Sequence, residues 1–142
     1  MKAFDKFLDE LESYERLKDD IKNKNTPILA TGVIDVQNMQ LASALSSQLM
    51  RPALIIAENE LMAKKMYEDY RFFDKNVCLF PSRDIIFFSA DVHSRETDIK
   101  RFKIINSLLK GERKSVIISA ETLFDRFVKK EIFEKSIITL SE

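Results

Sequence analysis

An α/β fold is predicted for this 142-residue chain, with a mostly parallel sheet flanked by helices and an amphipathic helix in front of it. Three observations point there. Short apolar runs, such as Ala53-Leu54-Ile55-Ile56-Ala57 and Val116-Ile117-Ile118-Ser119, alternate with longer stretches of helical period. The runs are nearly continuously apolar, which suits strands covered on both faces. Strand–helix alternation gives parallel neighbours joined by right-handed crossovers. A hydrophobic content of 45% is enough for one core in a chain of single-domain length.

The elements follow in order. Phe4, Phe7, Leu8, Leu11, Tyr14, Leu17 and Ile21 recur at three and four, which predicts a helix over 2–23 that packs on its own domain. Residues 1–25 are read as that helix and 26–142 as the α/β domain. A first strand is expected at 27–31 and a helix at 36–50 carrying Met39, Leu41, Ala42, Leu45 and Leu49. Pro52 precedes the second strand. A helix over 59–73 follows, with Met62, Met66, Tyr70 and Phe73 inward and a Glu60/Lys64 pair outside. Val77-Cys78-Leu79-Phe80 is a third strand, stopped by Pro81. Residues 85–88 are very apolar and suggest a short buried turn. A helix over 94–110 has Ile99, Phe102, Ile105, Leu108 and Leu109 as its stripe, Ser94 as N-cap and Gly111 as the left-handed residue beyond its end. A strand at 116–119, a short helix at 121–128 and a last strand at 137–140 complete the series. The chain stops two residues later, which suggests a piece of a longer protein.

Charge and cysteine use exclude several classes. Lys plus Arg and Asp plus Glu are 23 each, so no excess charge draws the chain to a polyanion. The single cysteine, Cys78, has no internal partner and fits a reducing, cytoplasmic setting. No signal-peptide pattern or membrane-length apolar run is present, so no membrane partner is expected.

In an open α/β sheet the turn after the first strand is the natural phosphate site. Here it reads Thr31-Gly32-Val33-Ile34-Asp35-Val36-Gln37-Asn38-Met39. Aligned from Gly32 on the G-x-x-x-x-G-K-[ST] pattern, Gln37 replaces the second glycine, Asn38 the lysine and Met39 the hydroxyl residue. These changes remove the backbone wrap, the neutralising cation and the Mg²⁺ ligand. Asp35 adds a negative charge that repels phosphate. The strand ending at Ser119-Ala120-Glu121 lacks the acidic pair of a metal-holding strand. No catalytic residue, bound cofactor or metal site is expected.

Other chemistry is thin. One His and one Cys do not make a zinc site of N/S type. Cys78 reads as a buried inert thiol, His93 as a solvent-facing or capping residue, and Asp84 and Asp91 as turn or capping residues. Arg95, Lys100, Arg101, Lys103, Lys110, Arg113 and Lys114 cluster along 95–114 with Glu96 and Asp98 among them. A solvated face is the plain reading. Contact with a phosphate backbone or a partner, through Arg95, Lys100, Arg101 and Lys103, is the sharper one.

Several stretches together resemble a known family. They are the Thr31-Gly32 turn with its lost phosphate pattern, the segments at 79–86 and 101–111, and Val116-Ile117-Ile118-Ser119-Ala120-Glu121-Thr122-Leu123-Phe124-Asp125-Arg126-Phe127. Their order across 28–140 resembles the N-terminal module of the bacterial transcription-repair coupling factor family (Mfd), itself similar to the first domain of the excinuclease subunit UvrB. The resemblance implies a RecA-like, UvrB domain 1a-like fold without ATPase function. It implies a parent protein that recognises RNA polymerase stalled at a DNA lesion and displaces it with a separate translocase using ATP and Mg²⁺. That parent recruits UvrA, through an adjacent domain, for nucleotide excision repair. No UvrA-contacting residue carries over to this chain. Two other readings remain open at this point. One is an ATP-binding UvrB-like excinuclease or helicase fragment. The other is a receiver-like signalling domain, for which Asp35 and Asp84 are the only carboxylate candidates and no matching lysine follows Ser119.

Overall fold

The structure, a computed structural model, describes residues 2–82 and 95–137. It is an α/β arrangement around a small parallel sheet. The elements run α1 (Lys2–Asp9), α2 (Glu12–Asn23), α3 (Asp35–Gln48), β1 (Leu54–Ala57), α4 (Glu60–Phe73), β2 (Val77–Leu79), α5 (Arg95–Leu109), β3 (Ser115–Ser119), a 3-10 turn (Ala120–Phe124) and α6 (Lys130–Lys135). Among the described residues the sheet has three strands in the order β1-β3-β2, all parallel. Ile55 pairs with Ile117 and Leu79 with Ile117 from the other side, so β3 is the central strand. It is buried at every position, the apolar Val116, Ile117 and Ile118 as well as the serines at its two ends.

The strand period of two divides the core. Ile117 turns toward α3 and α4 and packs with Met39, Ala57, Ala63, Tyr70 and Val77. Val116 and Ile118 turn the other way, against Phe80, Cys78 and the α5 residues Ile104 and Ile105. Two helix ends are closed by local contacts, the one at Gly111 as expected. Asn59 Oδ1 accepts from the Met62 N–H at 2.9 Å and caps α4. Gly111, at φ 77°, ends α5, with the Glu112 N–H bonded to Ser107 O at 3.0 Å.

Several expectations are corrected. The helix over 2–23 is two helices. Leu11 adopts extended backbone (φ −91°, ψ 115°), and α2 restarts with Glu12 and Glu15, whose charges favour a helix N-terminus. Residues 27–31 do not form a strand. Pro27 offers no N–H, Gly32 turns at φ 79°, and the short run between them lies beside α2 with Leu29 87% exposed. The inward side of α5 is also rotated from the expected stripe. Arg101 and Ser107 are buried and Ile104 and Ile105 half-buried, while Ile99 and Phe102 are exposed. The helix expected at 121–128 is the shorter 3-10 turn, and α6 was not anticipated. Ser94, the apolar stretch at 85–88 and the body of the expected last strand lie outside the described residues. Among the described residues no helix is long and apolar enough to cross a membrane.

Candidate functional site

The phosphate-loop position is the turn from Thr31 to the first turn of α3. Gly32 supplies the left-handed conformation there, and a Cβ at this position would meet nothing within 4 Å. Beyond it, Asp35 and Gln37 are engaged within the chain. Ile34 precedes α3 in extended backbone (φ −91°, ψ 164°). Its N–H donates to Gln37 Oε1 at 3.4 Å, so Gln37 reaches back to one of the free donors at the helix start. The Ile34 side chain has no acceptor, so only this half of a reciprocal cap exists.

Asp35 meets Lys65, from the second turn of α4, with Nζ 2.6 Å from Oδ2. The hydrogen bond and charge of Lys65 hold the Asp35 carboxyl below the usual carboxylate range, and Asp35 in turn raises Lys65. Lys65, brought to this turn by the fold, is therefore paired with a carboxylate at ordinary pH. No spacing in the sequence announces Lys65, which arrives from 30 residues away because α3 and α4 pack side by side on one face of the sheet.

Gln37 and Asn38 are exposed, whereas Met39 is 5% exposed and belongs to the core around Ile117. The position that would hold Mg²⁺ in a working loop thus points into hydrocarbon. Beside the turn, α2 and residues 28–33 border an open, mainly apolar groove of about 710 Å³, with Leu11, Leu17 and Leu41 among its walls. Among the described residues no three His, Cys, Asp or Glu side chains converge to hold a metal.

The basic helix is divided in role. Arg101 is 4% exposed. Its Nη1 donates to Pro81 O at 2.7 Å and meets Asp125 Oδ2 as an ion pair, also at 2.7 Å. The guanidinium lies 4.5 Å from the centre of the Phe80 ring and 5.4 Å from that of Phe127. Arg101 thus ties the end of β2 to the segment after the 3-10 turn, and neither expected role, a solvated face nor a phosphate contact, describes it. The signal for this was the spacing of Arg101 three and four residues before Ile104 and Ile105, which puts it on their face. Lys100 is exposed and paired with Glu96 at 2.7 Å, and Lys103 is exposed. The side chain of Arg95, and Asp84, Asp91 and His93, lie outside the described residues.

Cys78 is half-buried, its Sγ 3.5 Å from Ser115 O. Burial pushes its thiol pKa up, only partly offset by the charge of Lys114. A thiol so placed is a poor nucleophile. At the carboxyl ends of the strands, Ser82 Oγ donates to Glu60 Oε2 at 3.0 Å, a contact that no sequence pattern marked. Compared with known proteins, the chain matches no protein-family model, no curated protein and no solved structure.

Proposed function

We propose that this chain is a non-catalytic α/β module of the transcription-repair coupling factor type, with a RecA-like, UvrB domain 1a-like fold whose phosphate loop has become a structural turn. One observation carries the reading. The side chain at the Mg²⁺-ligand position, Met39, is a core residue packed with Ile117 and Tyr70, so phosphate chemistry there has been exchanged for burial. The Asp35–Lys65 pair and the Gln37 cap support it, because they use up the cation and an N–H that a triphosphate would need.

In this reading the module is a scaffold. It supports an adjacent UvrA-binding domain and packs against the rest of its own chain. RNA polymerase, DNA, ATP and Mg²⁺ are the business of the parent protein's translocase. The chain itself is not an enzyme.

The test is a titration with a fluorescent ATP analogue, with and without Mg²⁺. The reading expects no saturable, Mg²⁺-dependent signal. Micromolar binding that requires Mg²⁺ would replace it with the ATP-binding UvrB-like fragment.

A further inference from the structure

We infer that the chain associates with a second copy of itself, head to tail. The acidic, apolar junction of α1 and α2 in one copy docks into a basic, aromatic groove between α5 and α6 of the next. None of the observations behind this depends on the proposed function.

The groove holds about 410 Å³, and its described walls include Phe102, Ile105 and Leu109 of α5 with Phe127, Val128 and Phe133 from the segment through α6. Phe127 and Val128 are 53% and 61% exposed. The Phe102 and Phe133 rings lie 4.9 Å apart, centre to centre. Aromatic side chains held in such a pocket are the usual anchors of a protein interface. Residues 126–130 read Arg-Phe-Val-Lys-Lys, three cations with no acid, and Arg126 and Lys130 stand in the walls together with Asp98. An apolar segment bordered by carboxylates is the complement of this surface.

The chain carries that complement at its other end. Residues 7–12 read Phe-Leu-Asp-Glu-Leu-Glu, three acids with no base. Phe7 and Leu11 are 70% and 50% exposed there. The segment is fastened to α3, because Gln48 Nε2 donates to Asp9 Oδ1 at 2.9 Å. Helix α3 lies on the sheet face of Ile117, whereas α5 lies on the opposite face with Val116 and Ile118. The sheet therefore stands between a chain's acidic segment and its own groove, and a second copy is what brings the two together. Opposite charges in equal number speed the encounter and fix which end meets which. Two unlike surfaces in contact make a heterologous interface, which passes on from copy to copy.

Sedimentation velocity from about 10 μM to about 1 mM reads this contact, which belongs to the small, weak class of interfaces. The wild-type chain sediments faster as its concentration rises, and salt at about 0.5 M reduces the effect. Two variants each reverse one patch at exposed positions, where substitution costs little stability. They are Glu10→Lys with Glu12→Lys, and Arg126→Glu with Lys129→Glu. Each variant alone is a monomer, since its two ends now carry the same sign. Their equimolar mixture associates again, because the intact patches pair and so do the reversed ones, and a misfolded variant would not be rescued in this way. A wild-type chain that stays monomeric throughout overturns the inference. So does association that persists in either variant alone, and so does a mixture that stays monomeric. A monomeric wild-type chain whose groove amides shift in NMR on addition of an unrelated acidic amphipathic helix would give the groove to a different protein, and equally overturn the second copy as its occupant.

Discussion

The Tyr70 hydroxyl lies 2.8 Å from Ser115 Oγ, and the protons between them have only one consistent arrangement. Ser46 Oγ donates to Arg51 O at 2.6 Å, which uses its single proton. At the 3.3 Å contact between Ser46 and Ser115 the donor is therefore Ser115. Its proton committed, Ser115 accepts from Tyr70 and from the Ala53 N–H at 3.1 Å. One buried hydroxyl thus has its donor and both lone pairs filled, and it joins α3, α4, the entry to β1 and the start of β3.

That arrangement predicts a strongly non-additive mutant cycle. Tyr70→Phe leaves one lone pair of Ser115 empty, and Ser115→Ala strands the Tyr70 hydroxyl and the Ala53 amide. Each buried group left without a partner costs about 1–3 kcal/mol. In the Ser115→Ala background the Tyr70→Phe change costs far less, because the hydroxyl it removes has already lost its partner. Urea denaturation of the four proteins measures the coupling.

Arg101 and Lys103, neighbours in the expected basic patch, separate in opposite directions. Arg101→Met leaves Asp125 and Pro81 O without their partner and destabilises by about 3 kcal/mol or more, as breaking buried ion pairs does. Lys103→Ala, on the exposed side, changes stability by about 0.5 kcal/mol or less. Thermal unfolding of the two variants checks the contrast. A larger effect from Lys103 would contradict the assigned roles.

Restoring the lost hydroxyl does not restore a site. Met39→Thr puts a polar group among Ala57, Tyr70 and Ile117 and deletes side-chain volume. A loss of about 2–4 kcal/mol is expected from the cavity and the buried hydroxyl. No Mg²⁺-dependent nucleotide binding is gained. Denaturation and nucleotide titration of the same variant give both answers.

The Asp35–Lys65 pair sets a pH dependence of known sign. The Asp35 pKa is lowered on folding, so its contribution is present above the ordinary carboxylate range and is lost as pH falls through the lowered value. Both side chains are exposed, so the effect on stability is small. The carboxyl carbon chemical shift is the better readout. It titrates below the ordinary aspartate value in the wild-type chain and returns toward it in Lys65→Met.

How much of this was legible follows from the range of each signal. The apolar runs of β1, β2 and β3 and the periods of α3, α4 and α5 are local, and they locate those elements to within a few residues. The Gly111 stop is local as well. Residues 27–31 misled because an apolar run specifies a strand only when an edge receives it, and that is a tertiary fact. Arg101 is buried because it shares the Ile104 and Ile105 face, a placement that its charge and the basic residues around it mask in the sequence. The break at Leu11 carries neither glycine nor proline, and the apolar stripe runs straight across it. At the candidate site, the loss of the phosphate pattern was plain from Gln37, Asn38 and Met39. The way the turn fills itself, with Lys65 on Asp35, was hidden because it joins residues 30 apart.

The most direct test follows the backbone amides of Gly32, Val33, Ile34, Asp35 and Gln37 by NMR while Mg²⁺ and ATP are added. The account predicts that these resonances stay in place at millimolar nucleotide. Saturable shifts confined to them, dependent on Mg²⁺ and abolished by its chelation, would contradict it.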